Sequence, residues 1–305
     1  MSKTFDVLVA GSYSLDLIFT GLPGLPQLGE DMLATGFERI PGEAYNSAVA
    51  MLRLGLSVGW AGDFGNDDFS RFALERARAE GLDEGLFIHH NRPMRRISIA
   101  ASFPEDRAFI TYYDPDPRLP AVIKALTTAS ARVLYIPGFY YGPIMELGLR
   151  LARARRLKIV LDGNSGSGVS LKNSSVRKAV RSVDVLLPNA REARSLTGEV
   201  DLMKAIKTLG GLCPLVVVKD GSRGAYACQG NEILHAEAIA ITPIETTGAG
   251  DCFNAGFLKA WLDSLPVREC LRWGNAYGAV STLQIGGLDG QHSAVEMQHW
   301  IAEHS

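Results

Sequence analysis

Glu245-Thr246-Thr247-Gly248-Ala249-Gly250-Asp251-Cys252-Phe253-Asn254-Ala255-Gly256-Phe257 sets a small-residue turn directly before an apolar helix, with one carboxylate at the junction. A helix N-terminus exposes unpaired backbone N–H groups and a partial positive charge, so it attracts an anion. Gly248 and Gly250 let the backbone approach that anion with no Cβ in the way. Asp251 then stands beside the anion as a candidate base. An anion cradle and a base within four residues point to phosphoryl transfer to a hydroxyl. Two rivals fail on what is missing. A dinucleotide fingerprint needs a third glycine, where Phe253 stands, and no G-x-x-x-x-G-K-[ST] loop occurs in the chain. A simple capping turn remains the plain alternative for these residues taken alone.

Working outward, short β-branched runs alternate with helical patterns. Strands are expected at residues 7–10, 57–61, 133–136, 158–161, 183–187 and 215–218. Helices are expected at 44–54, 67–80, 144–155, 190–196, 202–209, 251–262, 269–283 and 294–302, with a hairpin at 224–237. This alternation predicts an α/β fold, a mostly parallel sheet with helices on both faces. Ligands of such sheets bind beyond the carboxyl ends of the strands. Asp16, Asp63, Gly138, Asp162, Asn189, Asp220 and Gly221 follow expected strand ends. Two stretches break the pattern. Residues 12–40 are rich in Gly and Pro, and 95–113 show period-2 alternation through Ile97, Ile99, Ala101 and Phe103, with a polar turn at Glu105-Asp106-Arg107. They are expected to form a small sheet with one wet face, placed like a lid over a single domain spanning 1–305.

Composition bounds the function. The chain has 305 residues, 47% apolar and 21% charged, with a formal net charge of −2. That is an ordinary globular balance, with no global case for nucleic acid or an anionic membrane. The apolar run after Asp6 is too short for a signal segment and nothing has the length of a membrane span, so a cytoplasmic protein is expected. Cys213, Cys228, Cys252 and Cys270 form no C-x-x-C pair and are expected to be buried free thiols.

The turn Thr247-Gly248-Ala249-Gly250-Asp251, followed by Phe253, Ala255 and Gly256, resembles the C-terminal signature of the ribokinase (PfkB) family of carbohydrate kinases. Further resemblances follow in order along nearly the whole chain. They are Gly11 and Asp16; Leu25-Pro26 and Gly29-Glu30; Gly42, Asn46 and Ala48; Gly62, Asp63, Gly65, Asp67 and Phe69; Asn189-x-x-Glu192 with Leu196-Thr197-Gly198; and Lys219 through Ala225. The resemblance implies a ribokinase-like three-layer α/β/α core with a β-sheet lid at about 12–40 and 93–115. It implies ATP and Mg²⁺, a sugar or nucleoside acceptor, and a homodimer through the lid.

Roles follow position by position. Asp251 would be the general base, and the N–H groups of Ala249, Gly250 and Asp251, after Gly248, the anion hole. Asp16, Gly42 and Asn46 would hold the acceptor. Asn189, Glu192, Lys219, Gly221, Gly224 and Asn275 would lie along the nucleotide, Glu192 meeting Mg²⁺ through water. Read without the family, Asn189 and Glu192 make a capping box, and both readings are compatible.

Three departures stand out. Glu245 occupies a position where the family usually has Asp, tied in some members to a monovalent cation, so potassium is an open possibility. Pro41 replaces the first glycine of a pair, and Asp162-Gly163-Asn164-Ser165-Gly166 lacks the arginine of a D-x-N-x-R turn. The acceptor stays open as well. Arg92, Arg95, Arg96 and Arg107 suit a phosphosugar or a solvated hairpin face. Tyr13, Phe37, Tyr45, Phe109 and Tyr112 suit a nucleoside base or the lid's own packing. A relative that binds sugar or nucleotide without turnover is the reading from a different class.

Overall fold

The computed structural model of the protein describes residues 3–103, 107–114, 120–164, 168–284, 288 and 292–304. β1 (Thr4–Ala10) and β2 (Tyr13–Thr20) are nearly continuous, and β3 (Gly36–Glu43) runs without a loop into α1 (Ala44–Arg53). β4 (Val58–Ala61), the short β5 (Asp63–Phe64), α2 (Asp68–Ala79) and the short β6 (Ile88–His89) follow. Next come the hairpin β7 (Arg96–Ser102) and β8 (Arg107–Tyr113), then α3 (Pro120–Thr128), β9 (Ser130–Ile136) and α4 (Pro143–Ala154). The second half comprises β10 (Lys158–Asp162), α5 (Ser174–Arg181), β11 (Val185–Leu187), α6 (Ala190–Thr197), α7 (Leu202–Gly210), β12 (Leu215–Lys219), β13 (Ala225–Gln229) and β14 (Glu232–Ala236). Three helices close the chain: α8 (Ala249–Leu262), α9 (Val267–Ser281) and α10 (Ala294–Glu303).

The main sheet has the order β14-β13-β12-β11-β10-β9-β1-β4 and is parallel except at β12–β13 and β13–β14. Its strands are buried on both faces, as their near-continuous apolar runs require. Alternation divides the core. Val7, Val9, Val133, Tyr135, Val160 and Val217 pack against α1, α2, α8, α9 and α10. Leu8, Leu134, Ile159, Leu161, Val216 and Val218 pack against α3 to α7. All four cysteines are free and buried. Among the described residues, no helix is long and apolar enough to cross a membrane.

The small sheet has the order β3-β2-β7-β8, with β2 and β7 parallel and the other pairs antiparallel. Register places Asp16 beside Ile40 and Ser98, Ser98 beside Thr111, and Arg96 beside Tyr113. Those residues share one face. Leu15, Ile97 and Tyr112, then Leu17, Ile99 and Ile110, share the other. In β7 the small and polar side chains are the more buried, and β8 is exposed on both faces. Ser98 and Ala100 are 9% and 3% exposed, whereas Ile110 and Tyr112 are 70% and 52% exposed. Of the polar turn between these strands, Glu105 and Asp106 lie outside the described residues.

Strand and helix ends differ from the sequence reading by up to three residues, most at the starts of β1 and β9. Two helices went unread. α5 (SSVRKAVR) turns only Val176, Ala179 and Val180 inward, too few to stand out in a polar segment. α3 adjoins a Pro-rich run that masks its start.

Candidate active site

Gly248, at φ +75° and ψ −4°, is the N-terminal cap of α8 and adopts a left-handed conformation that a side chain disfavours. The turn before it is shaped by Glu245, whose Oε1 accepts the Thr247 N–H at 2.6 Å. The Ala249 N–H goes to the Thr246 carbonyl at 3.3 Å. This corrects the expected three-donor cradle. The N–H groups of Gly250 and Asp251 have no acceptor among the described residues and are the donors left open at this terminus.

Asp251 stands in the first turn of α8. Burial pushes its carboxyl up to about 7, Asp162 adds to the rise, and Ser47 and Lys219 oppose it. The Ser47 hydroxyl donates to Asp251 Oδ1. Behind this pair lies a buried network. Ser47 Oγ is 3.4 Å from the Tyr135 hydroxyl, which accepts from Asn254 Nδ2 at 2.9 Å. The Lys219 ammonium donates to Asn254 Oδ1 at 3.1 Å and to Asp162 Oδ1 at 2.9 Å. Burial alone would lower the Lys219 pKa. Asp162, Glu192 and Asp251 outweigh it and hold the ammonium above its ordinary value. A Cβ on Gly250 would sit 3.7 Å from Lys219 Nζ, so the lysine lies directly under the cradle.

Asn189 and Glu192 do form a reciprocal capping box at α6, with both bonds at 2.8 Å. Burial raises the Glu192 carboxyl, Lys219 opposes this and Asp162 adds to it. A Cβ on Gly163 would lie 2.4 Å from Pro188 Cα and 2.8 Å from Glu192 Oε2, which is why a glycine stands there. Glu192 Oε1 and Asp162 Oδ2 accept no hydrogen bond from the described residues. This all-oxygen pair beside the cradle suits a hard cation held through its waters. Among the described residues, no cluster of three or more His, Cys, Asp or Glu is arranged to hold a metal directly.

Lys219 is joined to Asn189 by a strand bridge, so the two expected nucleotide-side motifs meet. Gly221 and Gly224 have φ of +58° and +82°, and they bracket a turn closed by the Asp220–Arg223 ion pair. Asn275 spends its amide N–H groups on the Ala236 and Glu237 carbonyls, at 3.0 and 2.9 Å, and so ties α9 to the end of β14.

The acceptor-side residues converge where β3 enters α1. A Cβ on Gly42 would fall 2.4 Å from Asp16 Oδ2 and 2.5 Å from Ser14 Oγ, so a side chain there would push both polar tips aside. Burial and Glu43 push the Asp16 carboxyl up to about 6, against a hydrogen bond from Ser14. Asn46 is 5% exposed, and its amide has no hydrogen-bond partner among the described residues. Glu43 holds φ +53° and ψ −125°, a region that favours glycine, and its carboxylate accepts from the Tyr113 hydroxyl.

Of the lid arginines, Arg95 is paired outward with Asp114 at 2.9 Å, and Arg96 lines a cavity. The Arg107 side chain lies outside the described residues. Tyr13 and Tyr45 are core residues, packed on Phe64 and Trp60, which removes them as stacking surfaces for a ligand. Sequence reasoning did not assign Ser47, Tyr135, Asp162 or Asn254 to the site. Asp162 was visible as a strand-end acid, and Asn254 lies three residues along α8 from Asp251, on the same helical face.

A match to the pfkB family of carbohydrate kinases extends over residues 6–293. The chain belongs to the pfkB family. It is 24% identical to the ribokinase of Bacillus subtilis over 302 residues, covering 97% of this chain and 99% of that one. Two solved structures share the fold of this pfkB kinase. Ribokinase from Thermotoga maritima has a TM-score of 0.81 at 22% identity, over 98% of this chain and 99% of its own. Arabidopsis thaliana ribokinase complexed with ribose and ATP has a TM-score of 0.78 at 21% identity, over 99% of both chains. The protein is thus a sugar kinase of the pfkB family, with a ribokinase-like fold.

Proposed function

We propose that this kinase moves the γ-phosphoryl group of ATP to a hydroxyl of a sugar, with Asp251 as general base. The observation that carries the reading is the position of Asp251. It lies beside two open N–H donors and over the Lys219 ammonium, and its pKa of about 7 keeps it able to accept a proton at neutral pH. Asp16 and the unpartnered Asn46 amide, above the Gly42 backbone, hold the acceptor's other hydroxyls. The acceptor O–H proton passes to the Asp251 carboxylate as its oxygen bonds to the γ-phosphorus. The bond from phosphorus to the β,γ-bridging oxygen breaks, and ADP leaves with that electron pair. The Gly250 and Asp251 N–H groups and Lys219 face the charge on the transferring group. When bound, Mg²⁺ offsets phosphate charge, and Glu192 and Asp162 would hold its waters. Gly221, Gly224 and the strand end fixed by Asn275 line the nucleotide side.

The same reading includes a homodimer through the outer face of the small sheet, where Phe37, Ile110 and Tyr112 are exposed. Asp251→Asn tests the chemistry. ADP release with the best sugar and MgATP should fall about 10²–10⁴-fold. A near wild-type rate would overturn the mechanism.

A further inference from the structure

A cavity of about 330 Å³ opens next to the acceptor residues, between α3, α4 and the end of β1. Its wall is mostly hydrocarbon, including Ile123, Leu126, Ile136, Ile144 and Leu149. Gly11 and Ser12 form the end nearest the site. A Cβ on Gly11 would lie 3.2 Å from that of Ala44, and the Ser12 carbonyl accepts the Ala44 N–H at 3.1 Å. Ala44 begins the turn that carries Asn46 and Ser47. The cavity therefore adjoins the start of α1 and extends into apolar space, and Asp251 is not among its described lining residues.

Among the described residues, Arg96 is the one charged residue lining it. Its guanidinium lies 5.1 Å from the Tyr113 ring centroid, and its Nε is buried without a hydrogen-bond partner. A buried donor left unmade costs about 1–3 kcal/mol. Such a group calls for a partner, and a ligand atom that accepts from it would remove the cost. Tyr140 and Tyr141 line the same cavity, 41% and 45% exposed, and offer ring surface to a flat group.

A sugar alone does not match this wall, because each hydroxyl pressed against hydrocarbon would lose its hydrogen bonds to water. An anionic substituent is disfavoured too. Among the described residues Arg96 is the only cation of the lining, and the Glu43 carboxylate acts on it from the same side.

Resting on the kinase reading above, we infer that the acceptor sugar bears a planar, apolar ring with a hydrogen-bond acceptor, which fills this cavity against Arg96. The ring sits on the sugar carbon remote from the hydroxyl that receives phosphate. Nucleosides and aryl glycosides share that chemistry.

The test is initial-rate ADP release with MgATP on inosine, uridine, a 4-nitrophenyl glycoside, and free ribose and fructose. The wild type should turn over a ring-bearing acceptor with a kcat/KM about tenfold or more above the free sugars. The nucleoside and aryl arms distinguish the two sources. Gly148→Leu then fills the cavity from α4. Among the described residues a Cβ there meets only Leu126 Cδ1, at 3.9 Å, and a helix-interior glycine is replaced by a better helix former. With its melting temperature retained, the ring-bearing to free-sugar kcat/KM ratio should fall about tenfold. Arg96→Met should lower the same ratio without filling the space. Equal or better turnover of free sugars by the wild type, or an unchanged ratio in both folded variants, overturns this inference alone. No turnover of any acceptor overturns the kinase reading along with it.

Discussion

The two sheets of this molecule solve opposite problems. The main sheet buries apolar side chains on both faces and brings its polar residues to the strand ends, where Asp162 and Lys219 sit within 2.9 Å of each other. The small sheet turns Asp16, Ser98 and Arg96 to one face and leaves Ile110 and Tyr112 on the other in contact with solvent. One is a scaffold with chemistry at its rim. The other is a surface whose polar face carries Asp16, the residue proposed to hold the acceptor. Alternation in a strand reports which residues share a face, and only the surroundings decide which face is covered.

Breaking the main sheet's rim should do the most damage. Lys219→Met leaves the Asp162 charge buried and uncompensated, which should cost about 3–5 kcal/mol of stability, read by denaturant unfolding. Turnover should be abolished with it.

The pH profile comes next. As the proposed general base Asp251 would act only when ionised, and its pKa is raised to about 7, so kcat/KM should fall roughly tenfold per unit as pH drops below that value and level off above it. Ser47 favours the ionised form by donating to it. Ser47→Ala should therefore move the acid limb to higher pH, which a merely structural role would not do.

On the small sheet's side the losses should be in recognition. Asn46→Ala removes an amide that no described residue engages, so KM for the acceptor should rise about tenfold with less change in kcat. The smallest effect on chemistry should come from the outer face. Ile110→Lys should leave the single chain's kcat within about twofold and its stability within about 0.5 kcal/mol. It should shift the sedimentation profile from dimer toward monomer. A wild type that sediments as a monomer at micromolar concentration would remove the dimer from the proposal.

Local chemistry was readable in the sequence. The turn at Gly248, the Asn189–Glu192 cap and the β-α alternation each depend on neighbours within a few residues; the cap and the alternation stand as read, and the turn opens α8 with two donors free among the described residues where three were expected. Long-range pairings were not. Ser47 and Asp251 are 204 positions apart, and Lys219 and Asp162 are 57 apart. Nothing in their local sequence announces a partner. Tyr13 and Tyr45 show the reverse error. An aromatic near a binding motif looks like a ligand surface until its packing on Phe64 and Trp60 is seen.

β3 ends at Glu43 and α1 begins at Ala44, with no loop between them and with Glu43 held at positive φ. This junction is a stiff crank. Any tilt of the small sheet turns the first coil of α1 with it, and so swings the Asn46 amide and the Ser47 hydroxyl together. In the proposed mechanism, the group that grips the acceptor and the group that steadies the base would thereby be geared to one shaft.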